Sequence, residues 1–151
     1  MQKVRYKKPE SVKRLEDFAL EKLKEKYPNF PYHVKPIYKD NTTNALTKCV
    51  VDAIELTDGF VERVNSMGNK VKTTKGTKWV KGSSKKGTAD LHCIIKTKSV
   101  KIEIKCKYTN DRQSEVQKEY QKEIEKAGGV YLIVTTFDDF YNWYRNFIKT
   151  G

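Results

Sequence analysis

Residues 87–105 have the sequence GTADLHCIIKTKSVKIEIK, a pattern typical of a turn followed by a β-hairpin. We predict strands over 91–97 and 100–105, joined by a short turn around residues 98–99. Apolar and charged residues alternate in the second strand. Because residues two apart on a strand point to the same side, one face of this strand should be apolar and the other charged.

The segments on both sides of this hairpin alternate between helical and extended patterns. Apolar residues recur every three or four positions in the predicted helices, and short β-branched or continuously apolar runs mark the predicted strands. The predicted helices are 9–27, the segment after the potential caps at 41–44, 114–127, and the segment that begins at 136. The predicted strands are 60–65, 79–80 and 130–134, the last apolar throughout and therefore expected to be buried on both faces. This order predicts an α/β protein with a mixed sheet of four or five strands, flanked by helices and preceded by an accessory N-terminal helix.

The composition supports one globular domain. The chain has 151 residues, of which 37% are hydrophobic and 33% charged, so it has enough apolar material for a single core. No apolar run approaches the roughly 18 residues that span a bilayer. Three cysteines without a Cys-x-x-Cys pair and only two histidines argue against a disulfide framework or a structural zinc site. We therefore expect a cytoplasmic protein that does not associate with membranes.

The positive charge is concentrated in one segment. The net charge is +12, and an excess of this size normally faces a polyanion, with nucleic acid a better candidate than a membrane surface. Residues 65–86 contain seven lysines and no acidic residue. A soluble loop is the alternative, although solubility requires fewer cations. We predict contact with nucleic acid for all lysines of this segment except Lys70, namely Lys72, Lys75, Lys78, Lys81, Lys85 and Lys86.

Two acidic side chains can meet a lysine on the charged side of the hairpin. Glu103 and Lys105 project from the same side of the second strand, and Asp90 begins the first. If Asp90 lies across from Glu103, two carboxylates come together, which is costly unless a cation sits between them. Oxygen ligands with open water positions suit Mg²⁺ or Mn²⁺, and such a site can hydrolyse phosphodiesters. The alternative is a solvated strand face with ordinary cross-strand pairs.

The order and content of several motifs resemble a known nuclease family. Asp90, twelve further residues and then Glu103-x-Lys105 is similar to the PD-(D/E)xK signature of the restriction-endonuclease-like superfamily. From residue 44 to about residue 141 the chain resembles a stand-alone, phage-type VRR-NUC domain. The matching pieces are LTKCVVDAI at 46–54, FVERVNS at 60–66, KKGTADL at 85–91, IEIK at 102–105, SEVQ at 114–117, AGGV at 127–130 and FDDF at 137–140.

This resemblance implies a restriction-endonuclease-like fold and a role for each motif residue. Mg²⁺ or Mn²⁺ would be held by Asp90, Glu103 and the carbonyl of Ile104. Lys105 would be the catalytic lysine, and Gln117 a helix residue that reaches into the site. Phosphate contact by Arg63 is a further hypothesis from the resemblance and from strand geometry.

Three features qualify these roles. Ala89 stands where the family usually has proline. Family members often carry a glutamate at the start of the first core helix, where this chain has only Thr42, Thr43 and Asn44. Gln117 also has a second interpretation, because Ser114-x-x-Gln117 is a capping box.

Together these expectations describe a metal-dependent DNA endonuclease. The nuclease domain would span 41–151 and follow an N-terminal helical extension at 1–40. The resemblance favours branched DNA, with Holliday junctions first and other branched or duplex DNA behind. The alternative is a catalytically silent nucleic-acid-binding module with the same fold.

A four-way junction requires two symmetric cuts, so we also expect a homodimer with one site in each subunit. Leu15, Phe18 and Leu23 of the first helix offer apolar surface for the interface, unless they close the core of the monomer itself.

Overall fold

The computed structural model describes residues 5–64, 69–80, 82 and 85–150. Four of its strands form a mixed sheet in the order β1-β4-β5-β6, and two more form a separate antiparallel hairpin. In chain order the elements are α1 Glu10–Lys26, α2 Thr43–Glu55, β1 Phe60–Arg63, β2 Asn69–Thr73, β3 Gly76–Val80, β4 Leu91–Ile95, β5 Lys98–Ile104, α3 Glu115–Lys126, β6 Val130–Val134 and α4 Phe137–Thr150. The predicted α/β class, the mixed sheet and the N-terminal helix are confirmed.

The helices begin at the residues that their sequences mark as caps. Pro9 is the N-cap of α1, and its fixed φ suits a helix start. At α2 the hydroxyl of Thr42 accepts a hydrogen bond from the amide of Ala45 at 3.1 Å. The Thr42 bond satisfies an amide group that the first helical turn leaves without a partner.

The hairpin of β4 and β5 has its turn two residues earlier than the sequence suggested. Leu91 pairs with Ile102 and Ile95 with Lys98, so Lys96 and Thr97 form a two-residue turn. Both turn residues have positive φ, 49° and 68°, which matches the tight turns that suit twisted hairpins. Glycine or asparagine usually marks such turns, and neither is present here, so the prediction of a turn at residues 98–99 was wrong.

Strand β6 lies at an edge of the sheet, parallel to β5. Its apolar sequence predicted burial on both faces, yet Ile133 is 37% exposed. That prediction was wrong because helices cover the two faces of β6 unequally.

The main core lies on one face of the sheet, under α1, α2 and α4. Val12 and Leu15 of α1 are buried in the same cluster as Ile102 and Phe140. The N-terminal helix therefore shares the core of the rest of the chain. Only α3 covers the other face, where Tyr120 packs against Tyr131 and Ala89. None of the helices described is long and apolar enough to cross a membrane.

The segment between α1 and α2 is tied to the far end of the chain by Asp40. This aspartate is buried, and its two carboxylate oxygens accept hydrogen bonds from the Tyr6 hydroxyl at 2.8 Å and the Phe137 amide at 3.2 Å. Phe137 is the first residue of α4, so a negative charge lies at the positive end of that helix. Asp40 thus joins the N-terminal segment, α2 and α4.

We predict that Asp40→Ala lowers the free energy of unfolding by about 1–3 kcal/mol, because it removes the acceptor of the buried Phe137 amide and of the half-buried Tyr6 hydroxyl. Urea denaturation followed by circular dichroism measures this change. Asp17→Ala is the control, since Asp17 is exposed and pairs only with Lys35 at the surface, so it should have little effect. Equal stability of the two variants would contradict the anchoring role of Asp40.

Candidate active site

Asp90 and Glu103 lie opposite each other at the start of β4. Leu91 pairs with Ile102 in the antiparallel ladder, so the next residues beyond them, Asp90 and Glu103, lie opposite each other. A carboxylate oxygen of Asp90 accepts a hydrogen bond from the Ile104 amide at 2.8 Å. This bond fixes the Asp90 side chain beside the backbone of the strand that carries Glu103.

Glu103 is a buried carboxylate with one oxygen unpartnered. Its side chain points to the α3 face of the sheet, and the residue is only 2% exposed. Its Oε1 atom accepts a hydrogen bond from the side-chain amide of Gln117 at 2.5 Å and lies 3.2 Å from the Lys105 ammonium. Its Oε2 atom is buried and has no hydrogen-bond partner among the described residues. A buried charged oxygen without a partner costs at least about 1–3 kcal/mol, so its presence requires an explanation.

Lys105 bridges two carboxylates. Its ammonium lies 3.2 Å from Glu103 and 3.1 Å from Asp111, and the residue is 9% exposed. Burial alone would lower its pKa, but the hydrogen bonds to Asp111 and Glu103 outweigh that effect and raise the pKa. Lys105 is therefore a fixed cation that can stabilise negative charge beside Glu103.

Burial has the opposite effect on Glu103. Loss of solvent and the nearby charge of Asp90 raise the pKa of Glu103, and Lys105 offsets this only in part. Perturbed carboxyl groups of this kind are common where a protein binds a cation or performs acid–base chemistry.

Gln117 satisfies both interpretations of its motif. Its side-chain oxygen accepts from the Ser114 amide at 2.9 Å, and Ser114 caps the Gln117 amide in return. The same side chain donates its amide hydrogen to Glu103. One residue thus starts α3 and holds the carboxylate.

Gly87 allows α3 to approach the turn before Asp90. It has a φ of 74°, and a Cβ atom there would lie 2.5 Å from the carbonyl oxygen of Val116. Only glycine permits this approach, which brings the first turn of α3 close to β5. Ala89 in the same turn is buried against Tyr120 and Tyr131.

The basic residues named in the sequence analysis occupy three places. Lys72, Lys75 and Lys78 lie on the β2–β3 hairpin, which contains no acidic residue. Lys85 and Lys86 lie on the exposed turn before Asp90, where Lys85 pairs with Glu123 of α3. Lys81 lies outside the described residues.

Arg63 is exposed at the end of β1, and its register opposite Leu91 places it on the other face of the sheet from Glu103. The structure therefore does not bring Arg63 together with the acidic residues.

Two residues near the site were not singled out from the sequence. Asp111 lies in the loop after β5 and pairs with Lys105. Tyr131 belongs to an apolar strand, yet its hydroxyl is buried on the face that carries Glu103 and has no hydrogen-bond partner within the described part of the chain. A search for acidic residues shortly after the Glu-x-Lys strand would have found Asp111, whereas no pattern marks Tyr131.

The cysteines offer no nucleophile. Cys49, Cys93 and Cys106 are free and buried, and burial raises the pKa of Cys49 and Cys93 to about 12. A thiol with such a pKa stays protonated at neutral pH and is unreactive.

Comparison with known proteins adds no relative, because no family model, curated protein or solved structure matches this chain. Among the described residues, no group of three or more His, Cys, Asp or Glu side chains could hold a metal ion. The candidate site thus consists of two carboxylates, a lysine and a glutamine.

We predict that Glu103→Gln stabilises the protein in the presence of chelator at mildly alkaline pH. The pKa of Glu103 is raised above its ordinary value of 4.5 in the folded protein, so folding is favoured by the protonated form of this carboxyl group. The wild type therefore loses stability as the pH rises from 4.5 through the pKa of the folded state, and the variant, which has no proton to lose there, does not. Urea midpoints below pH 4.5 and at alkaline pH measure the difference, which should shrink at acidic pH.

Glu119→Gln, an exposed position on α3, is the control and should change stability little at either pH. A wild type that is the more stable protein at alkaline pH would show that the Lys105 ion pair outweighs the burial of Glu103.

Proposed function

We propose that this protein is a divalent-metal-dependent DNA endonuclease of the restriction-endonuclease-like superfamily, similar to stand-alone VRR-NUC domains. One observation carries the proposal: Glu103 is buried opposite Asp90, with one oxygen unpartnered and Lys105 beside it. The order of elements from α2 to β6 also agrees with the order of the matching motifs. A solvated strand face would leave Glu103 exposed, whereas it is almost fully buried.

The residues present fit a small divalent cation. Asp90 and Glu103 would hold Mg²⁺ or Mn²⁺ together with the carbonyl of Ile104, and the unpartnered Glu103 oxygen would gain a ligand. Two carboxylates and a carbonyl leave positions for water and for phosphate oxygens, as Mg²⁺ sites in phosphoryl chemistry do. When bound, the ion would polarise a phosphoryl oxygen and lower the pKa of a water molecule.

The remaining side chains act on the substrate or hold the ligands. The Lys105 ammonium would neutralise charge that develops on the phosphate, and Asp111 keeps it protonated and in place. Gln117 holds Glu103 through a single hydrogen bond, so it is a positioning residue rather than a ligand.

Nucleic acid is the polyanion that the charge distribution favours. The net charge of +12 and the lysines at 70–86 provide phosphate contacts that do not depend on sequence. The preference for branched DNA, and for Holliday junctions in particular, comes from the family resemblance.

One alternative function and one prediction about assembly remain part of the proposal. The lack of a third acidic ligand among the described residues favours a catalytically silent nucleic-acid-binding module, which keeps the fold and the lysines but does not cleave. The homodimer stays a prediction: Leu15 is buried in the core of the monomer, whereas Phe18 and Leu23 are only half-buried and keep surface for an interface. Tyr32, Val34 and Ile37, which follow α1, are highly exposed apolar residues.

We predict that Asp90→Ala, Glu103→Ala and Lys105→Ala each abolish DNA cleavage and leave DNA affinity near that of the wild type. Removing a group that stabilises transition-state charge typically costs about 10²–10³ in rate. A nicking and cleavage assay with Mn²⁺ measures activity, and Glu119→Gln is the control that should stay active.

A second measurement separates the two functions. Mn²⁺ should raise the melting temperature of the wild type and not that of Glu103→Ala, because binding to the native state alone stabilises it. Metal-dependent cleavage by Glu103→Ala would overturn the site, and absence of both cleavage and metal stabilisation in the wild type would favour the silent module.

We predict that replacing Lys72, Lys75 and Lys78 together by alanine weakens binding to any duplex sequence by a similar factor. Each lost phosphate contact should reduce the log–log salt slope by about 0.9, or up to about 2.7 for three. Fluorescence anisotropy over a range of salt concentrations measures the slope. The triple variant of Lys22, Lys24 and Lys26 on α1 is the control, and an unchanged slope in the hairpin variant would mean that the hairpin serves only solubility.

A further inference from the structure

The β2–β3 hairpin stands apart from the main sheet. Its two strands pair only with each other, and every residue from 70 to 80 is exposed. A two-stranded hairpin without a packed face gains little stability from burial. Its exposed apolar side chains are therefore not explained by the folding of the hairpin itself.

Trp79 is the largest of these exposed side chains. It is 58% exposed and lies directly across from Lys70, which places both on one face of the hairpin. Lys72 pairs with Thr77, so the indole shares its face of the hairpin with two cations. Lys78 lies on the opposite face and Lys75 at the turn.

This distribution fits nucleic acid better than a membrane surface. An element that lies on a membrane separates an apolar face from a charged one. Here both faces carry lysine and both carry an apolar residue, Trp79 on one face and Val71 on the other. A ribbon that is cationic all round suits phosphates on both sides, and a two-stranded ribbon is narrow enough for a DNA groove.

We propose that Trp79 stacks on an unpaired or unstacked base while the hairpin lysines hold the adjacent phosphates. Bases within a continuous duplex are stacked on both faces, so an indole can reach one only by forcing the stack apart. Single strands and branch points offer an open base face without that cost. The hairpin would thus give preference for branched or single-stranded DNA over continuous duplex.

This inference deepens the proposed function, but it requires binding only and not cleavage. It can therefore be tested in chelator, where no metal-dependent cleavage takes place. If Trp79 stacks on DNA bases but the protein shows no cleavage with Mn²⁺, the chain is a binding module with the same DNA preference.

The first test compares wild type, Trp79→Ala and Trp79→Phe by fluorescence anisotropy. The probes are a synthetic four-way junction, oligothymidylate and a continuous duplex. A stacked base is worth roughly five- to a hundredfold in affinity, so Trp79→Ala should lose about that factor on junction and oligothymidylate and keep its duplex affinity. Trp79→Phe should retain most of the affinity, and Tyr32→Ala, which removes an exposed aromatic outside the hairpin, is the matched control.

The second test uses the fluorescence of Trp79 itself. The chain has two tryptophans, so Trp143→Phe leaves Trp79 as the only one. Saturation of this variant with oligothymidylate should strongly quench its emission, because a base stacked on the indole opens a non-radiative route for the excited state to decay.

Four outcomes would overturn the proposal. Two concern DNA affinity: Trp79→Ala binds the junction as tightly as the wild type, or it loses affinity equally on all three DNA probes. The other two are an unquenched emission in the Trp143→Phe protein, and a Trp79→Ala variant that loses binding to anionic phosphatidylserine vesicles while its DNA binding is unaffected. The quenching result decides the matter even if Trp79→Ala alters the hairpin.

Discussion

The burial of the Glu103 carboxylate on an inner strand of the sheet constrains how β5 and α3 pack against each other. Glu103 lies on β5 between β4 and β6, covered by α3, with one oxygen held and the other unpartnered. Burying a charged group is unfavourable unless it is paired and hydrogen-bonded, and Glu103 has only half of its bonds. Such a group lowers the stability of the isolated protein, and under the proposed function a bound cation would offset that cost.

The surroundings of Glu103 depend on how closely α3 approaches the sheet. Gly87 removes the side chain that would keep α3 away, and Gln117 then reaches Glu103 from the first turn of the helix. The capping box fixes the position of that turn. Local backbone freedom at a single glycine and a cap at a single serine therefore combine to hold the carboxylate.

The chain just beyond the end of β5 that carries Glu103 is held by the segment between α1 and α2. Cys106 follows Lys105, and its thiol donates to the carbonyl of Asp40 at 3.6 Å, while the Asp40 carboxylate anchors α4. Residues 5–40 are thus part of the framework beneath the site, since α1 shares its core. The β2–β3 hairpin is the opposite case, because it contributes charge and exposed aromatic surface without packing in the core.

The sequence by itself determined the α/β class, the four helices and the strands of the main sheet, and it singled out Asp90, Lys105 and Gln117 as neighbours of Glu103. Periodicity, caps and the alternation in β5 are local, and local patterns fix which segments form helices and strands. The β2–β3 hairpin was missed except for residues 79–80, because its lysines and threonines give no apolar alternation. Only the tertiary structure decided the burial of Glu103, its contact with Gln117, the pairing of Lys105 with Asp111 and the edge position of β6. Asp111 is only six residues from Lys105, but it lies in a loop whose path no periodic pattern predicts. The other three features depend on how distant segments pack, and neither burial nor a long-range contact is encoded in the spacing of neighbouring residues.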